Sequence, residues 1–370
     1  MTARGAEPLR VVIAGGGTGG HLYPGLAVAQ ELRRREPGAK VTFAGTARGI
    51  EARVVPREGF ELDVLRSAGL KGKSMAAVSR GMALLPASGL DAWRILSRRR
   101  PHAVLGVGGY SSGPVVMLAA TRGVPTMVLE QNAVPGLANR ILARVVDAAA
   151  VTYEETLVWF GSKGFVSGNP VRAGFVEVGA TTRPDAAADQ PPRLLVFGGS
   201  QGAHAINVAM MAAAPLLAGS AIAITHQTGR ADHETVRQAY AAARLAARVE
   251  PFLDEMDREM ALADLVVCRA GATTLAEITA AGRAALLVPL PTATDDHQRR
   301  NAEALVRAGA AEMIDQRDLT GASLAAAVQR LLADRARRAQ LETAARGLGR
   351  PEAARVIADR LVGLARRQAA

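Results

Sequence analysis

A glycine-rich stretch that ends in a histidine, GGGTGGH at residues 15–21, is the first candidate for chemistry. It follows a short apolar run, so we expect it to form the turn between a strand and a helix. Glycine in an ordered element costs about 0.5–1 kcal/mol relative to alanine, which indicates that the backbone here approaches something closely. N–H groups at the start of a helix favour phosphate. His21 could act as a general base near pH 7; alternatively, it only hydrogen-bonds a phosphate or caps its helix.

A second glycine-rich turn lies at a matching place in the other half of the chain, in LLVFGGSQGAHAIN at residues 194–207. Tight packing of a strand against a helix can explain one such turn, whereas two at matching places favour phosphate binding. The first turn is not a usual dinucleotide-binding fingerprint. It lacks an acidic residue for a ribose, because VTFAGTARGIE offers Thr46 and Arg48 at that place.

The segment CRAGATTLAEI at residues 268–278 is the strongest candidate for a nucleotide site. An apolar strand runs into Gly271, and Thr273 or Thr274 is placed to cap the helix that follows. Amides of the first helical turn can then accept a diphosphate, and Glu277 can reach the two hydroxyls of a ribose. The alternative is a capping box in which Thr274 and Glu277 bond to each other.

A polar cluster follows the next apolar run, in PLPTATDDHQRRNAEAL at residues 289–305. It predicts either a reader of sugar hydroxyls or a loop before an ordinary N-capped helix. No Asp-x-Asp motif is evident at a strand end, so we expect no obligatory protein-bound metal and no cofactor. The members of the cluster are Asp295, Asp296, His297, Gln298 and Asn301.

These residues need a scaffold of strands and helices. Short Val- and Leu-rich runs alternate with helical stretches along the whole chain, which predicts doubly wound parallel sheets. The pattern restarts near residue 193, and 370 residues suit two domains of about 150–200 residues each. We place the boundary in SGNPVR, giving domains at 1–168 and 169–350 and a C-terminal helix at 351–370. Two such domains that face each other would bind ligands at the carboxyl ends of their strands.

Composition narrows the class of protein. The chain has 45 basic and 34 acidic residues, and eight of the basic residues but only one acidic residue fall within 66–100. This distribution indicates either a solvated surface or a face for a polyanion, nucleic acid or anionic lipid. The single Cys268 excludes a disulfide framework and a cysteine zinc site. No apolar run approaches the roughly 20 residues of a membrane span, and the N-terminus does not read as a signal peptide.

Seven motifs occur in order along nearly the whole chain: GGGTGGHLYPGLAVA, GGYSSGP, EQNAVPG, GNPVR, GGSQGA, RAGATTLAEI and DDHQRRNA. Together they resemble the MurG family, peripheral membrane glycosyltransferases that convert lipid I to lipid II in peptidoglycan synthesis. The resemblance implies an α/β fold of the GT-B type, with two Rossmann-like doubly wound domains facing a deep cleft. It also implies inverting transfer of GlcNAc from UDP-GlcNAc to O4 of the MurNAc-pentapeptide of undecaprenyl-diphosphate-linked lipid I.

The resemblance also implies roles for individual residues. His21 becomes the best candidate for the base that activates the acceptor hydroxyl. The first glycine-rich turn would contact the donor and acceptor diphosphates, Asn132 would contact the GlcNAc, and Leu253 would contact the uracil edge through its backbone. Arg172 and Ser200 would contact the phosphates and sugar of UDP. The residues expected to bind substrates are Thr18, Gly19, Gly20, Asn132, Arg172, Ser200, Leu253, Ala272, Thr273, Thr274, Leu275, Ala276, Glu277 and Gln298.

An acceptor anchored in a lipid requires docking at a membrane. We therefore expect a peripheral protein on the cytoplasmic face of the cell membrane, which contacts anionic lipid through residues 66–100. Protein partners from the cell-wall machinery are possible, and the C-terminal helix is a candidate to pack back on the N-terminal domain. Trp93 is the apolar member of the segment most expected to lie in the core. The other named members are Lys71, Lys73, Arg80 and Arg94, which are basic, and Met75, Met82, Leu84 and Leu85, which are apolar.

Two other functions fit parts of the sequence. A UDP-GlcNAc 2-epimerase or another nucleotide-sugar transferase could use the same fold, but an epimerase has a soluble substrate and no use for the basic segment. A nucleic-acid-binding protein would suit the positive charge. Aromatic residues make up only 4% of the chain, and no recognition module is evident, so we expect no nucleic-acid partner.

Overall fold

The computed structural model describes residues 7–66, 84–180, 190–199, 202–293 and 296–369. The chain divides into two compact units. Unit 1 contains Met1–Val171 together with Pro351–Ala370, and unit 2 contains Arg172–Arg350. Each unit is built on a parallel sheet covered by helices, so the predicted α/β class with two doubly wound sheets is confirmed.

Unit 1 contains a seven-stranded sheet in the order β3-β2-β1-β4-β5-β6-β7. Its strands are β1 Arg10–Gly15, β2 Lys40–Gly45, β3 Glu61–Val64, β4 Ala103–Gly108, β5 Thr126–Glu130, β6 Ala148–Val151 and β7 Gly164–Val166. Its first helices are α1 Gly19–Arg35, α2 Glu51–Arg57, α3 Leu85–Arg99, α4 Ser112–Thr121 and α5 Leu137–Leu142, followed by 3₁₀ turns at Glu154–Trp159 and Gly161–Lys163.

The residues of β1 show how this sheet is buried on both faces. Val11 and Ile13 join a core cluster with α1 and α2, whereas Val12 and Ala14 join a second cluster with α3, α4 and α5. Alternate residues of a strand point to opposite faces, so a strand covered on both sides reads as one apolar run. This explains the short continuous runs that predicted β1, β2, β4 and β5.

Unit 2 contains a six-stranded sheet in the order β10-β9-β8-β11-β12-β13, which repeats the order of the first six strands of unit 1. Its strands are β8 Arg193–Phe197, β9 Ala223–Gln227, β10 Ala247–Glu250, β11 Leu265–Cys268, β12 Ala285–Leu287 and β13 Glu312–Met313. Its helices are α6 Ala173–Ala180, α7 His204–Leu217, α8 His233–Ala242, α9 Met256–Leu262, α10 Ala272–Ala281, α11 His297–Arg307, α12 Gly321–Ala333 and α13 Arg335–Leu348, with a 3₁₀ turn at Gln316–Asp318.

The chain ends with helix α14, Ala353–Ala369, which belongs to unit 1. Ile357 and Leu361 are fully buried in the cluster that contains α1. At the surface, Arg366 donates to Glu36 at 2.7 Å. No helix within the described ranges combines the length and apolar character needed to cross a membrane.

Each sheet has a switch point where the strand order reverses: between β1 and β4 in unit 1, and between β8 and β11 in unit 2. Open parallel sheets bind ligands beyond the carboxyl ends of the strands at such points. The two glycine-rich turns follow β1 and β8, and Gly108 and Gly271 end or follow the neighbouring strands. The sheet topology therefore places both glycine-rich turns beyond the carboxyl ends of the strands at these switch points.

Candidate functional site

Packing accounts for the first two glycines of the turn after β1. A Cβ atom on Gly15 would lie 2.5 Å from the carbonyl oxygen of Gly108, and one on Gly16 would lie 2.6 Å from Cδ of Glu51. Gly17 has a φ of +84°, in the left-handed region, and its N–H donates to Glu51 Oε2 at 2.8 Å. Close packing therefore explains the glycines at the start of the turn, and the diphosphate contacts predicted for Thr18, Gly19 and Gly20, which follow it, stay a prediction.

His21 lies in the first turn of α1, beside the end of β4. Thr18 is the N-cap, with extended backbone, so His21 does not cap the helix. Its Nδ1 is 3.2 Å from Thr18 Oγ1. A Cβ atom on Gly108 would lie 2.7 Å from Cδ2 and 3.1 Å from Nε2 of the imidazole, so this edge of the ring rests on the backbone at the switch point.

Asn132 lies on a loop that a buried carboxylate holds in place. Glu130, at the end of β5, is 2% exposed. Its Oε1 accepts hydrogen bonds from the N–H and Nδ2 of Asn132 at 3.0 and 3.2 Å, and its Oε2 accepts from the N–H of Gly136 and Nδ2 of Asn139 at 3.0 and 2.9 Å. Burial raises the pKa of Glu130, while these hydrogen bonds oppose the rise. The motif that predicted Asn132 thus contains the residue that positions it.

The start of α10 corrects the predicted helix cap. The helix begins at Ala272, and its N-cap is Gly271, with φ −68° and ψ 139°. Thr273 and Thr274 therefore lie inside the first turn, and neither is the cap. The capping box between Thr274 and Glu277 is also excluded. Such a box requires that the residue with the hydroxyl be the N-cap, and the N-cap here is Gly271. A glycine in extended conformation starts the helix earlier than the threonine pattern predicted.

Glu277 and Arg172, predicted for separate contacts with UDP, contact each other. Arg172 donates to Glu277 Oε1 at 3.1 Å, and its guanidinium carbon lies 4.8 Å from the ring centre of Phe175. Glu277 is 7% exposed. Burial raises its pKa, and Arg172 opposes the rise. Along α10, the predicted residues alternate between buried and partly exposed: Ala272, Leu275 and Glu277 are buried, whereas Thr273, Thr274 and Ala276 are partly exposed.

Gln227, which sequence reasoning missed, connects two predicted parts of the unit 2 site. Its Nε2 donates to the carbonyl of Gly199 at 2.8 Å, and its Oε1 accepts from the N–H of Leu253 at 3.4 Å. Leu253 is buried. The available signal was a polar residue at the carboxyl end of a strand. Ser200 lies outside the described residues.

The loop after β12 is held by two side chains. Gln298 accepts from the N–H of Leu290 at 3.0 Å. Arg269 donates to the carbonyls of Val288 and Pro289 at 3.0 and 3.2 Å, and burial lowers its pKa. Gln298 thus contacts the loop that follows β12, whereas Asn301 is fully buried within α11. Asp295 lies outside the described residues, and Asp296 is the N-cap of α11.

Trp93 is not a core residue. Its relative exposure is 52%, and that of Leu90, one turn earlier in α3, is 45%. The buried stripe of α3 instead contains Ala92, Ile95 and Leu96, and Trp93 lies outside it. Residues 67–83, with Lys71, Lys73, Met75, Arg80 and Met82, lie outside the described residues. In the parts of the chain that are described, no group of three or more His, Cys, Asp or Glu residues could hold a metal ion.

Sequence comparison identifies the family. Residues 11–151 match the N-terminal domain of glycosyltransferase family 28, and residues 193–361 match its C-terminal domain. This chain belongs to glycosyltransferase family 28. Within the family, it is 50% identical over 363 residues to the UDP-N-acetylglucosamine--N-acetylmuramyl-(pentapeptide) pyrophosphoryl-undecaprenol N-acetylglucosamine transferase of Anaeromyxobacter sp. (strain K), covering 97% of this chain and 94% of the relative.

Solved structures agree with this assignment. The crystal structure of Acinetobacter baumannii MurG has a TM-score of 0.79 with this family 28 chain at 32% identity, covering 96% of this chain and 100% of that one. The predicted resemblance to the MurG family is confirmed. A UDP-GlcNAc 2-epimerase from Neisseria meningitidis has a TM-score of 0.68 at 12% identity, covering 96% of this chain and 100% of that one, and shares the fold alone.

Proposed function

We propose that this family 28 enzyme transfers GlcNAc from UDP-GlcNAc to O4 of the MurNAc-pentapeptide of lipid I, giving lipid II. The observation that carries the proposal is the nearly full-length match, at 50% identity, to a relative named for this reaction. The ordered motifs and the placement of their residues at the carboxyl edges of two parallel sheets support it.

Unit 2 is proposed to hold the donor. The amides at the start of α10 lie where the helix dipole is positive, and they suit the diphosphate of UDP. Glu277, beside them, is proposed to bind the ribose hydroxyls with its carboxylate while Arg172 steadies it at 3.1 Å. The loop that carries Gln298 is proposed to read the GlcNAc hydroxyls, and Ser200 and the backbone of Leu253 complete the donor contacts.

Unit 1 is proposed to hold the acceptor, with Thr18, Gly19 and Gly20 near its diphosphate, and Asn132 to contact the GlcNAc. His21 is proposed as the base. When Nδ1–H donates to Thr18 Oγ1 across their 3.2 Å separation, Nε2 carries no proton. In this tautomer Nε2 can take the proton from the O4 hydroxyl of the substrate.

In the chemical step, O4 of the acceptor attacks C1 of GlcNAc and its proton passes to His21 Nε2. The bond from C1 to the diphosphate oxygen breaks on the opposite side, so the configuration at C1 inverts and UDP leaves as an anion. The N-terminus of α10 and Arg172 stabilise the charge that develops on UDP, and such preorganised groups need no rearrangement at the moment of reaction.

The enzyme is proposed to work at the cytoplasmic face of the cell membrane. Leu90 and Trp93 on α3 provide exposed apolar surface, and Arg94, whose side chain is 62% exposed, is next to them. Apolar side chains that enter the interface and cations that attract anionic headgroups act together in such docking.

Two measurements test the reaction. Calorimetry should show binding of UDP-GlcNAc in preference to other UDP-sugars and to ADP-sugars, and mass spectrometry should show one added GlcNAc on a short-chain, water-soluble analogue of lipid I. If UDP-GlcNAc alone were converted to its 2-epimer and the acceptor stayed unchanged, the proposal would be overturned in favour of an epimerase.

A further inference from the structure

Glu51 joins two neighbouring turns beyond the carboxyl ends of β1 and β2 in unit 1. It is the first residue of α2 and has no exposed surface. Its Oε2 accepts from the N–H of Gly17 at 2.8 Å, while its Oε1 accepts from the N–H and the hydroxyl of Thr46, both at 2.8 Å. Gly17 belongs to the turn after β1, and Thr46 follows β2. One side chain therefore ties the turn before α1 to the adjacent strand.

Glycines around the carboxylate leave room for it. Cβ atoms on Gly16, Gly45 and Gly49 would lie 2.6, 2.6 and 2.1 Å from atoms of the Glu51 side chain. These distances are too short for any Cβ, so glycine is required at all three positions while Glu51 keeps this place. These three glycines thus make room for the buried carboxylate of Glu51, and this packing explains them without a ligand.

A chain of two hydrogen bonds connects Gly49 to Glu51 through the hydroxyl of Thr46. The N–H of Gly49 donates to Thr46 Oγ1 at 3.2 Å, and that hydroxyl donates to Glu51. A carboxylate surrounded by backbone N–H donors at a glycine-rich turn occupies the kind of place that such turns offer to an anion. The amide of Gly17 is therefore engaged by the protein itself.

We infer that Glu51 is a positioning residue for the transfer reaction, an inference that rests on the proposed function. Gly17, with its φ of +84°, immediately precedes the N-cap Thr18. Fixing the amide of Gly17 sets the direction in which α1 begins, and His21 lies in that first turn. Glycine would otherwise allow several backbone directions at this point. Glu51 thus holds the imidazole at the end of β4 without touching a substrate.

The variant Glu51→Gln tests this role, since it keeps the size of the side chain but replaces one acceptor oxygen by an NH₂ group that faces N–H donors. We expect kcat with the water-soluble acceptor to fall about 10–100-fold, the effect of a small displacement of a reacting group. The Kd of UDP-GlcNAc, measured by calorimetry, should stay within about twofold, because the donor is proposed to bind unit 2. The pH profile of kcat should keep its acidic limb at a lower plateau.

Asp147→Asn is the matched control. Asp147 also accepts hydrogen bonds from the N–H and the hydroxyl of a threonine, Thr126, at 2.8 and 3.1 Å. Thr126, however, is the first residue of β5 and therefore lies at the amino ends of the strands, away from the glycine-rich turns. Its kcat should stay within about twofold of wild type. If Glu51→Gln loses only thermal stability while the folded protein keeps the wild-type kcat, Glu51 is merely structural and the inference is wrong.

Amide hydrogen exchange on the wild-type chain tests the premise of the inference even if Glu51→Gln does not fold. The N–H of Gly17 should exchange slowly although it lies in a turn, because it donates to a buried carboxylate. Exchange as fast as an unprotected amide would overturn the inference. Failure of the proposed function is recognisable separately, because wild type itself would then transfer no GlcNAc.

Discussion

Arg172 binds Glu277 at 3.1 Å across 105 positions of sequence. The pair joins the residue that opens unit 2 to the second turn of α10, and it buries the carboxylate beside a guanidinium that stacks on Phe175. A buried carboxylate needs such a partner because desolvation disfavours its charge. The pair also places a cation beside α10, the helix whose first turn is proposed to receive UDP.

Glu277→Ala should weaken binding of UDP-GlcNAc by about 1–3 kcal/mol, the usual loss for a hydrogen bond to a charged group. Thermal stability should also fall, because the substitution leaves a buried cavity and removes one partner of the ion pair, so calorimetry and a thermal melt must measure the two effects separately. Glu277→Gln is the matched variant, since its amide oxygen can still accept from Arg172. Unchanged donor affinity with a large loss of stability would show that the pair serves only the fold.

His21→Ala should lower turnover by about 10²–10⁴-fold while donor affinity stays nearly intact, because a general base acts on the acceptor. The pH profile of turnover should lose its acidic limb. Steady-state kinetics and calorimetry with UDP-GlcNAc separate the two quantities. If donor affinity falls in proportion to the rate, His21 is a ligand contact and the base lies elsewhere.

Gly108→Ala should displace the imidazole of His21 without removing it. The new Cβ would lie 2.7 Å from Cδ2 of the ring, and Gly108 has a φ of +94°, so the substitution also strains the backbone. Turnover should fall about 10-fold or more, with the donor Kd unchanged. Gly113→Ala is the control: a Cβ there meets no atom within 4 Å, and its turnover should match wild type. Equal turnover for both variants would contradict the placement of His21.

Replacing Leu90 and Trp93 together by serine should release the protein from anionic vesicles, measured by co-sedimentation. The reaction with a long-chain lipid acceptor should slow, and that with a water-soluble acceptor should not. High salt should weaken the contribution of Arg94 but not that of the apolar pair. Leu216→Ser is the control, because Leu216 of unit 2 is similarly exposed at 51%. Undiminished vesicle binding by the double variant would place the membrane face elsewhere.

His226 should make unit 2 sensitive to acid. Asn207 donates through Nδ2 to the carbonyl of Thr228 and to Asp232, so its Oδ1 accepts from Nε2–H of His226. Nδ1 then accepts from the hydroxyl of Tyr240 at 2.7 Å, and the ring is neutral. Burial lowers the pKa of His226 to about 3, although Asp232 opposes the shift.

The sign follows from the number of protons bound. Between the ordinary pKa of 6.5 and the folded value of about 3, the unfolded chain binds a proton that the folded unit does not. Stability from this group is present above pH 6.5 and is lost at up to about 1.4 kcal/mol per pH unit as the pH falls. Thermal melts at pH 7 and pH 5 should show a smaller acid shift for His226→Gln than for wild type. His204→Gln, at an exposed position, should behave as wild type; an unaltered acid shift in His226→Gln would refute the assignment.

The sequence by itself determined the fold class and the strand ends near which the candidate site residues lie. Apolar runs of strand length followed by glycine predicted β1, β4 and β8 because these signals are local: burial on both faces and a turn before a helix. The ordered motifs identified the family for the same reason, since each is a contiguous stretch. His21, Asn132, Glu277 and Gln298 therefore appeared in advance as candidates.

Only the tertiary structure decided which groups these residues contact. Glu51 and Gly17 are 34 positions apart, and Arg172 and Glu277 are 105 positions apart, so no local spacing predicts either pair. A dinucleotide-binding protein would have an acidic residue for the ribose near Thr46 and Arg48. The acidic residue of this segment is Glu51, and its buried carboxylate accepts hydrogen bonds from the N–H groups of Gly17 and Thr46. A long-range contact depends on the register and order of the strands, and these are fixed by packing across the whole sheet and not by any single segment.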